Sequence, residues 1–288
     1  MKKFLLILCA LMLVVGFSAP SFSMTITPFD SAANLAQSLV GSGVTISNIN
    51  YTGATTASGY FTGGTAAGIG IESGIVLTSG FASNLNGTTN TSGGITGDNS
   101  LPGTSYLDAL IPGFTTYDAA VLEFDFASSG NAAYFSYVFG SEEYNEWVGS
   151  SFNDVFGFFL NGTAVTDNVA TLGDGTVVSI NNINNGSNPS FYNDNGPGPF
   201  AFEYDGFTDV LTASLLGLTP GQLYHLTLAI ADAGDWILDS GVFLAAGTLS
   251  DVDPNTGNPV PEPSTILLMG VGLVGLAGYS RKKFNKKK

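Results

Sequence analysis

Glu142 and Glu143, followed closely by Asn153 and Asp154, gather acidic and amide oxygens in one loop-like stretch, and Asp232, Asp235 and Asp239 form a second acidic run. Calcium takes six to eight oxygens from carboxylates, amide carbonyls, backbone and water, on a loop able to wrap around it. Each block carries a Gly or Ser that relaxes the backbone: Gly140-Ser141-Glu142-Glu143, Ser151-Phe152-Asn153-Asp154 and Asp232-Ala233-Gly234-Asp235. None has the D-x-[DN]-x-[DN]-G spacing of an EF-hand loop. The chemistry expected of these seven residues is the holding of one or two structural calcium ions. The plainer alternative makes each acid a solvated loop residue or a turn cap.

The distribution of charge favours the metal. All eight Lys and Arg lie at positions 2, 3, 281–283 and 286–288. Between Met24 and Val260 the only basic side chain is His225, while every carboxylate of the 23 except Glu262 falls there. Acids gathered without cationic partners must stay solvated, take up protons or bind a cation. Nucleic acid is excluded as a partner, because phosphate binding needs Lys and Arg.

Catalysis is the competing class. Glu142 or Glu143 paired with Asp125 or Asp154 could run glycoside hydrolysis if the carboxyls stood about 5–5.5 Å or 6.5–9.5 Å apart. Adjacent Glu residues on a strand face opposite sides, so such a pair works only in a loop. His225 lies on an expected strand among alternating apolar residues, which suits a half-exposed strand histidine better than a triad base. The chain has no GxSxG elbow and no P-loop.

The elements that must position these residues are mostly strands. Gly, at 38 residues, is about twice its usual share. Leu122, Phe124 and Phe126 alternate with Glu123 and Asp125, as on a half-buried strand. Strands are expected at 44–51, 74–79, 120–126, 133–139, 154–160, 176–180, 207–213, 223–230 and 240–248. Asn161-Gly162 and Pro220-Gly221 mark turns. One short helix is expected after Asp30 or Ser31 as N-cap, with Leu35 and Leu39 on one face and Gly41 as the stop. The fold class is all-β, an antiparallel β-sandwich of jelly-roll type with one short N-terminal helix, plus a C-terminal transmembrane helix.

Both ends read as addresses. Met1-Lys2-Lys3, the apolar run Phe4 to Phe17, and Ser21 and Ser23 describe a signal peptide over 1–23. Cys9, the one cysteine, is discarded with it. A β domain over 24–250 and a polar linker at 251–259 follow. Then come Pro261-Glu262-Pro263, the apolar run Ile266 to Tyr279 and six basic residues from Arg281. At about 1.5 Å per residue the apolar run reaches roughly 21 Å, short of a hydrocarbon core of about 30 Å. Ser264, Thr265, Tyr279 and snorkelling lysines narrow the gap, so a span over 264–280 with a cytoplasmic basic end is expected.

That tripartite tail, 260–288, resembles the PEP-CTERM sorting signal. The resemblance implies an exosortase as processing partner, a Gram-negative host that makes exopolysaccharide, and cleavage near Pro261 to Pro263. It also implies a transient inner-membrane stage and final residence at the cell surface or in the extracellular matrix.

The body resembles the choice-of-anchor L domain. The resemblance rests on blocks in one order: GIESGIVL at 70–77, DAAVLEFDF at 118–126, YVFGSEEYNEWVGSSFNDVFGFFLNG at 137–162, SINN at 179–182, YDGFT at 204–208 and HLTLAIADAGD at 225–235, running on to LDSGVFL at 238–244. It implies an exported surface module and brings no catalytic residues. Taken with the tail, it makes carbohydrate the expected ligand class, with Tyr144, Trp147 and Trp236 as ligand-binding candidates and Phe191 and Tyr192 in nearby loops. The resulting expectation is a non-catalytic, calcium-stabilised binding module associated with exopolysaccharide. A structural or adhesive matrix protein without glycan binding is the alternative, and a glycoside hydrolase the lesser one.

Overall fold

The computed structural model describes residues 24–254 apart from Thr88 and Pro197. The expected signal peptide and sorting signal lie outside the described residues. Contacts divide the chain into Met1–Asp253 and Pro254–Lys288.

The first unit is built of two antiparallel sheets. The larger contains β1 (Thr25–Pro28), β3 (Ser58–Thr62), β4 (Ser73–Thr78), β12 (Ser240–Ala245), β6 (Ala132–Ser141), β9 (Gly206–Thr208) and β8 (Tyr192–Asp194) in that spatial order, with β10 (Leu211–Leu216) also paired to β6. The smaller runs β2 (Val44–Thr52), β5 (Thr116–Ser128), β11 (Tyr224–Ala233) and β7 (Val155–Leu160). Every pairing between these strands is antiparallel.

The core lies between the sheets. Ile75, Leu77, Tyr137, Phe139, Val242 and Leu244 of the larger sheet pack in one cluster with Leu122, Phe124, Phe156, Phe158, Leu226 and Leu228 of the smaller. Each buried aromatic of this kind is worth about 1.5–3 kcal/mol relative to exposure. The alternate residues are covered too. Val76, Val138 and Phe243 pack under Phe202, Tyr204 and Phe207. On the smaller sheet Val155, Phe159 and Ala229 pack under Leu107 and Leu110 of a short helix. Strands covered on both faces read as continuous apolar runs, which is why VFGFFL at 155–160 shows no alternation.

The helix expected at the N-terminus forms as α1 (Ala32–Leu39), capped by the Ser31 side chain, which accepts from the Asn34 N–H. Leu35 and Leu39 face the core. Three features of the expected fold are corrected. The helix is not alone: α2 (Gly64–Ala67) and α3 (Ser105–Leu110) join it, and Thr104 caps α3 through its side chain. The sheets are not the matched pair of a jelly roll, since an eight-stranded sheet faces a four-stranded one. Finally, no helix among the described residues is long and apolar enough to cross a membrane. The longest, α1, has 8 residues, about 12 Å against a core of about 30 Å. The transmembrane helix, the membrane contact through it and the transient inner-membrane stage find no support in any helix among the described residues, and the span placed at 264–280 falls outside them.

The strand expected at 176–180 is only a pair of isolated bridges, at Val177 and Ser179. That expected at 207–213 breaks into β9 and β10, because Asp209 and Val210 turn the chain between two positions along one edge of β6. Strands β1, β3 and β8, each of 3 to 5 residues, were too short to stand out in the sequence.

Candidate functional site at the acidic end of the sandwich

Two connections cross from one sheet to the other at the same end. Residues 142–154 link β6 of the larger sheet to β7 of the smaller, and residues 234–239 link β11 of the smaller to β12 of the larger. Pairing of Ser240 with Ser141 and of Ala231 with Val155 sets the connections side by side. Asp154 joins them directly: its Oδ1 accepts from the Ala233 N–H at 2.8 Å and its Oδ2 from the Ser240 hydroxyl at 2.7 Å. The Glu142 N–H donates to the Asp239 carbonyl at 3.1 Å.

A third segment closes the site. Asp239 Oδ1 accepts from the Gly97 N–H at 2.8 Å. Its carboxylate occupies the space a Cβ on Gly80 would need, so glycine is required there. Gly140 and Gly241 make a similar allowance for the Tyr204 ring, since a Cβ on either would stand 2.8 Å from it or its hydroxyl. Seated there, Tyr204 carries Glu203 and Asp205 into the acidic end. Glu203 Oε1 accepts from the Thr91 N–H and hydroxyl at 3.2 and 3.0 Å, and Asp205 accepts from the Asn90 amide.

Glu142, Glu143, Asp154, Asp232 and Asp239 are each only 1% exposed. Both carboxylate oxygens of Glu142 and of Asp232, together with Glu143 Oε2 and Asp239 Oδ2, are buried without a hydrogen-bond partner of good geometry. Burial pushes the Glu142 carboxyl up to about 9, helped by Asp205, Glu203 and Asp239. Burial first, then Asp154 and Asp235, raises Glu143. Burial and then Asp154 raise Asp232 well above the carboxylate range. Asp154 is raised by burial against the opposing pull of Ser240 and Ala233. Asp205 and Asp239 are pushed up to about 6, and Asp235 is raised, each chiefly by burial. Two lobes result, one around Glu142 with Glu203, Asp205 and Asp239, the other around Glu143 with Asp154 and Asp235, and Asp232 stands between them, acted on by Asp154, Asp239 and Asp118. Among the described residues no three His, Cys, Asp or Glu side chains close around a common point as a ready ligand set.

The remaining expected ligand, Asn153, is 5% exposed and spends its side-chain oxygen on the Asn181 N–H at 2.8 Å. Asp125 is not part of the acidic end. It sits on the outer face of the smaller sheet, accepting from Asn48 and lying 2.8 Å from His225 Nδ1. Glu203, Asp205 and Asp118 were missed as site residues. Their signal was an acid among aromatic or small apolar neighbours in a region without Lys or Arg.

The choice-of-anchor L domain matches residues 25–250, the whole of the two-sheet unit. The chain belongs to this family. The PEP-CTERM protein-sorting motif matches residues 259–282, which marks the choice-of-anchor L domain as secreted and sorted by that route and is consistent with processing by an exosortase. Neither a curated protein nor a solved structure gives a match.

Within this choice-of-anchor L domain the candidate aromatics occupy different settings. Tyr144 is 1% exposed, donates to the Ile183 carbonyl at 2.7 Å and stacks near Tyr192 in the core. Trp147 is 41% exposed and rests edge-on against Phe152. Trp236, also 41% exposed, lies with its ring centroid 4.1 Å from that of Tyr117. Phe191 ends a single helical turn before β8 and packs against the core.

Proposed function

We propose that this choice-of-anchor L domain is a non-catalytic, calcium-ordered binding module of the exopolysaccharide matrix. The observation that carries the calcium part is the burial of Glu142 and Asp232 with no hydrogen bond of good geometry to any of their four carboxylate oxygens and no cationic side chain among the described residues beside them. An ionised carboxylate sealed from water without a partner is prohibitively costly, so it is protonated or neutralised by a cation. The domain between Met24 and Val260 has no Lys or Arg to serve. A divalent cation that accepts carboxylate, amide and backbone oxygen is the remaining partner. Glu142, Glu203, Asp205 and Asp239 would hold one ion, and Glu143, Asp154, Asp232 and Asp235 a second, once side-chain rotation brings three or more of each set to a common point. Bound calcium would supply structural charge neutralisation at the two sheet-crossing connections.

A hydrolytic role is disfavoured by access. A general acid must reach the proton it transfers, and Glu142, Glu143 and Asp154 are sealed inside the fold. Asp125, the other candidate of the pair, belongs to the far sheet face with His225.

The test is elemental analysis of the purified protein with thermal melts in calcium and in chelator. Bound calcium and a chelator-sensitive midpoint are expected. A metal-free protein whose midpoint ignores both additions would sink the calcium reading.

A further inference from the structure

We infer that the groove between Tyr117–Trp236 and the 98–102 loop is a saccharide subsite for a pyranose unit bearing no anionic substituent. This rests on the reading of the domain as a matrix-binding module and adds where and what it binds.

The groove has a volume of about 450 Å³ and is lined by Asp98, Ser100, Leu101, Pro102, Tyr117 and Trp236. That is in the range of small-ligand sites. Trp236 offers an exposed indole backed by Tyr117, their planes tilted at 43°. An aromatic face is negative and attracts the partly positive C–H groups on one face of a pyranose ring. Asp98 and Ser100, both exposed, stand at the rim; the Ser100 hydroxyl donates to Asp98 Oδ1 at 2.9 Å, which leaves Asp98 Oδ2 to accept from a sugar hydroxyl and the Ser100 oxygen to receive another.

The walls are held before any ligand arrives. Asp118, 1% exposed, accepts from the Asn99 and Leu101 N–H groups at 2.8 and 2.6 Å, which fixes the 98–102 loop. The Asn99 amide donates to the Ser79 and Gly80 carbonyls at 3.0 Å, and Pro102 bridges to Tyr117. On the other wall the Leu238 N–H donates to the Thr96 hydroxyl at 3.1 Å. A preformed groove spares the ligand the cost of ordering it.

Charge sets the class of sugar. No Lys or Arg lies between Met24 and Val260. The lone histidine, His225, pairs with Asp125, eight residues along β5 from Tyr117, roughly 27 Å by strand rise. Asp98 lines the groove, and Asp118 and Asp235 directly neighbour its lining residues Tyr117 and Trp236 in the chain, so a uronate, sulfate or pyruvate substituent would meet acidic side chains and no basic one. Trp236 also directly follows Asp235, which faces Glu143. Neutralising that lobe would relieve the repulsion between Asp235 and Glu143 beside the indole.

The test uses the full-length protein with Trp147→Phe, which leaves Trp236 as the only tryptophan. Its emission is followed with cellohexaose, maltohexaose, mannohexaose and hexagalacturonate, in calcium and in chelator, beside a calcium melt of the same sample. At least one neutral hexasaccharide is expected to shift the emission saturably, hexagalacturonate is not, and chelator weakens binding. In the wild-type background Trp236→Ala binds at least tenfold more weakly by calorimetry while keeping its calcium-shifted midpoint, and Trp236→Phe retains most binding. No shift with any neutral sugar, preference for hexagalacturonate, or unchanged affinity in Trp236→Ala overturns the subsite. Self-association abolished by Trp236→Ala, without sugar binding, overturns it in favour of a contact between copies. A calcium-shifted melt without sugar binding removes the subsite alone. Sugar binding without a calcium effect leaves the subsite and removes the metal reading.

Discussion

Glu142 and Glu143 are adjacent in the chain yet serve opposite lobes of the acidic end. Asp205, Glu203 and Asp239 act on Glu142, whereas Asp154 and Asp235 act on Glu143. The divergence arises where the chain leaves β6 at Ser141 and enters the turn that begins at Glu142, with the Glu143 N–H held by the Ser141 hydroxyl at 2.9 Å. It makes the two lobes separable by mutation.

Glu142→Gln and Glu143→Gln are each expected to remove part of the calcium-dependent rise in melting midpoint. Saturating calcium at one hundred times its dissociation constant adds about 2.7 kcal/mol per site. If the lobes hold separate ions, the double variant loses the sum of the two single losses. Equal loss in all three variants would instead indicate one shared ion, and no loss in any would remove both. Differential scanning calorimetry in calcium and in chelator reads the difference.

In chelator, stability should fall as pH rises. Raised carboxyl pKa values mean that the metal-free folded state binds more protons than the unfolded chain. The stabilisation is complete below the ordinary carboxylate values. It is lost through about 6 as Asp205 and Asp239 ionise, and onward to about 9 with Glu142. Urea midpoints measured from pH 5 to pH 9 should therefore decline, and calcium should flatten or reverse the decline because it holds the ionised form. Glu142→Gln removes Glu142's share of the fall and leaves that of Glu143 and Asp232. A chelator curve that rises over this range contradicts the burial account.

Asp154 has a structural task apart from any metal. In Asp154→Ala the buried Ala233 N–H and Ser240 hydroxyl lose their acceptors. Each buried donor left unsatisfied costs about 1–3 kcal/mol. Urea unfolding in chelator, where metal loss plays no part, should show that destabilisation. Ser240→Ala, which removes one hydroxyl bond, should cost about 1 kcal/mol.

Phe158 stands at the centre of an aromatic chain between the sheets, with ring centroids 4.9 Å from Phe135, 5.0 Å from Tyr137 and 4.9 Å from Phe156. Phe158→Ala should destabilise by about 3–5 kcal/mol through lost burial and the cavity left behind. The calcium-induced shift in midpoint should persist, because Phe158 lies away from the acidic end. A loss below 1 kcal/mol would mean that the core collapses around the gap.

Where a few neighbouring residues determine an outcome, the sequence was legible. Ser31 capping α1, the turn at Asn161 with φ of 61°, and the alternation of Leu122, Phe124 and Phe126 against Glu123 and Asp125 are local effects. The same holds for the dearth of Lys and Arg and for the tripartite sorting signal, which are matters of composition and order. Residues 176–180 misled because apolar β-branched residues also line a buried loop: Val178 and Ile180 enter the core without strand pairing.

From the sequence alone came an exported all-β domain whose acids have no basic partners and need another means of neutralisation. Only the tertiary structure decided which acids meet. Glu142, Asp154, Asp232 and Asp239 share one end because the β6–β7 and β11–β12 connections both cross between sheets there. Glu203 and Asp205 join them from the loop before β9 and Asp118 from the start of β5, while Asp125 farther along β5 is carried to the other face beside His225. Strand order and register arise from pairings far apart in the chain, which leave no mark in any short stretch of residues.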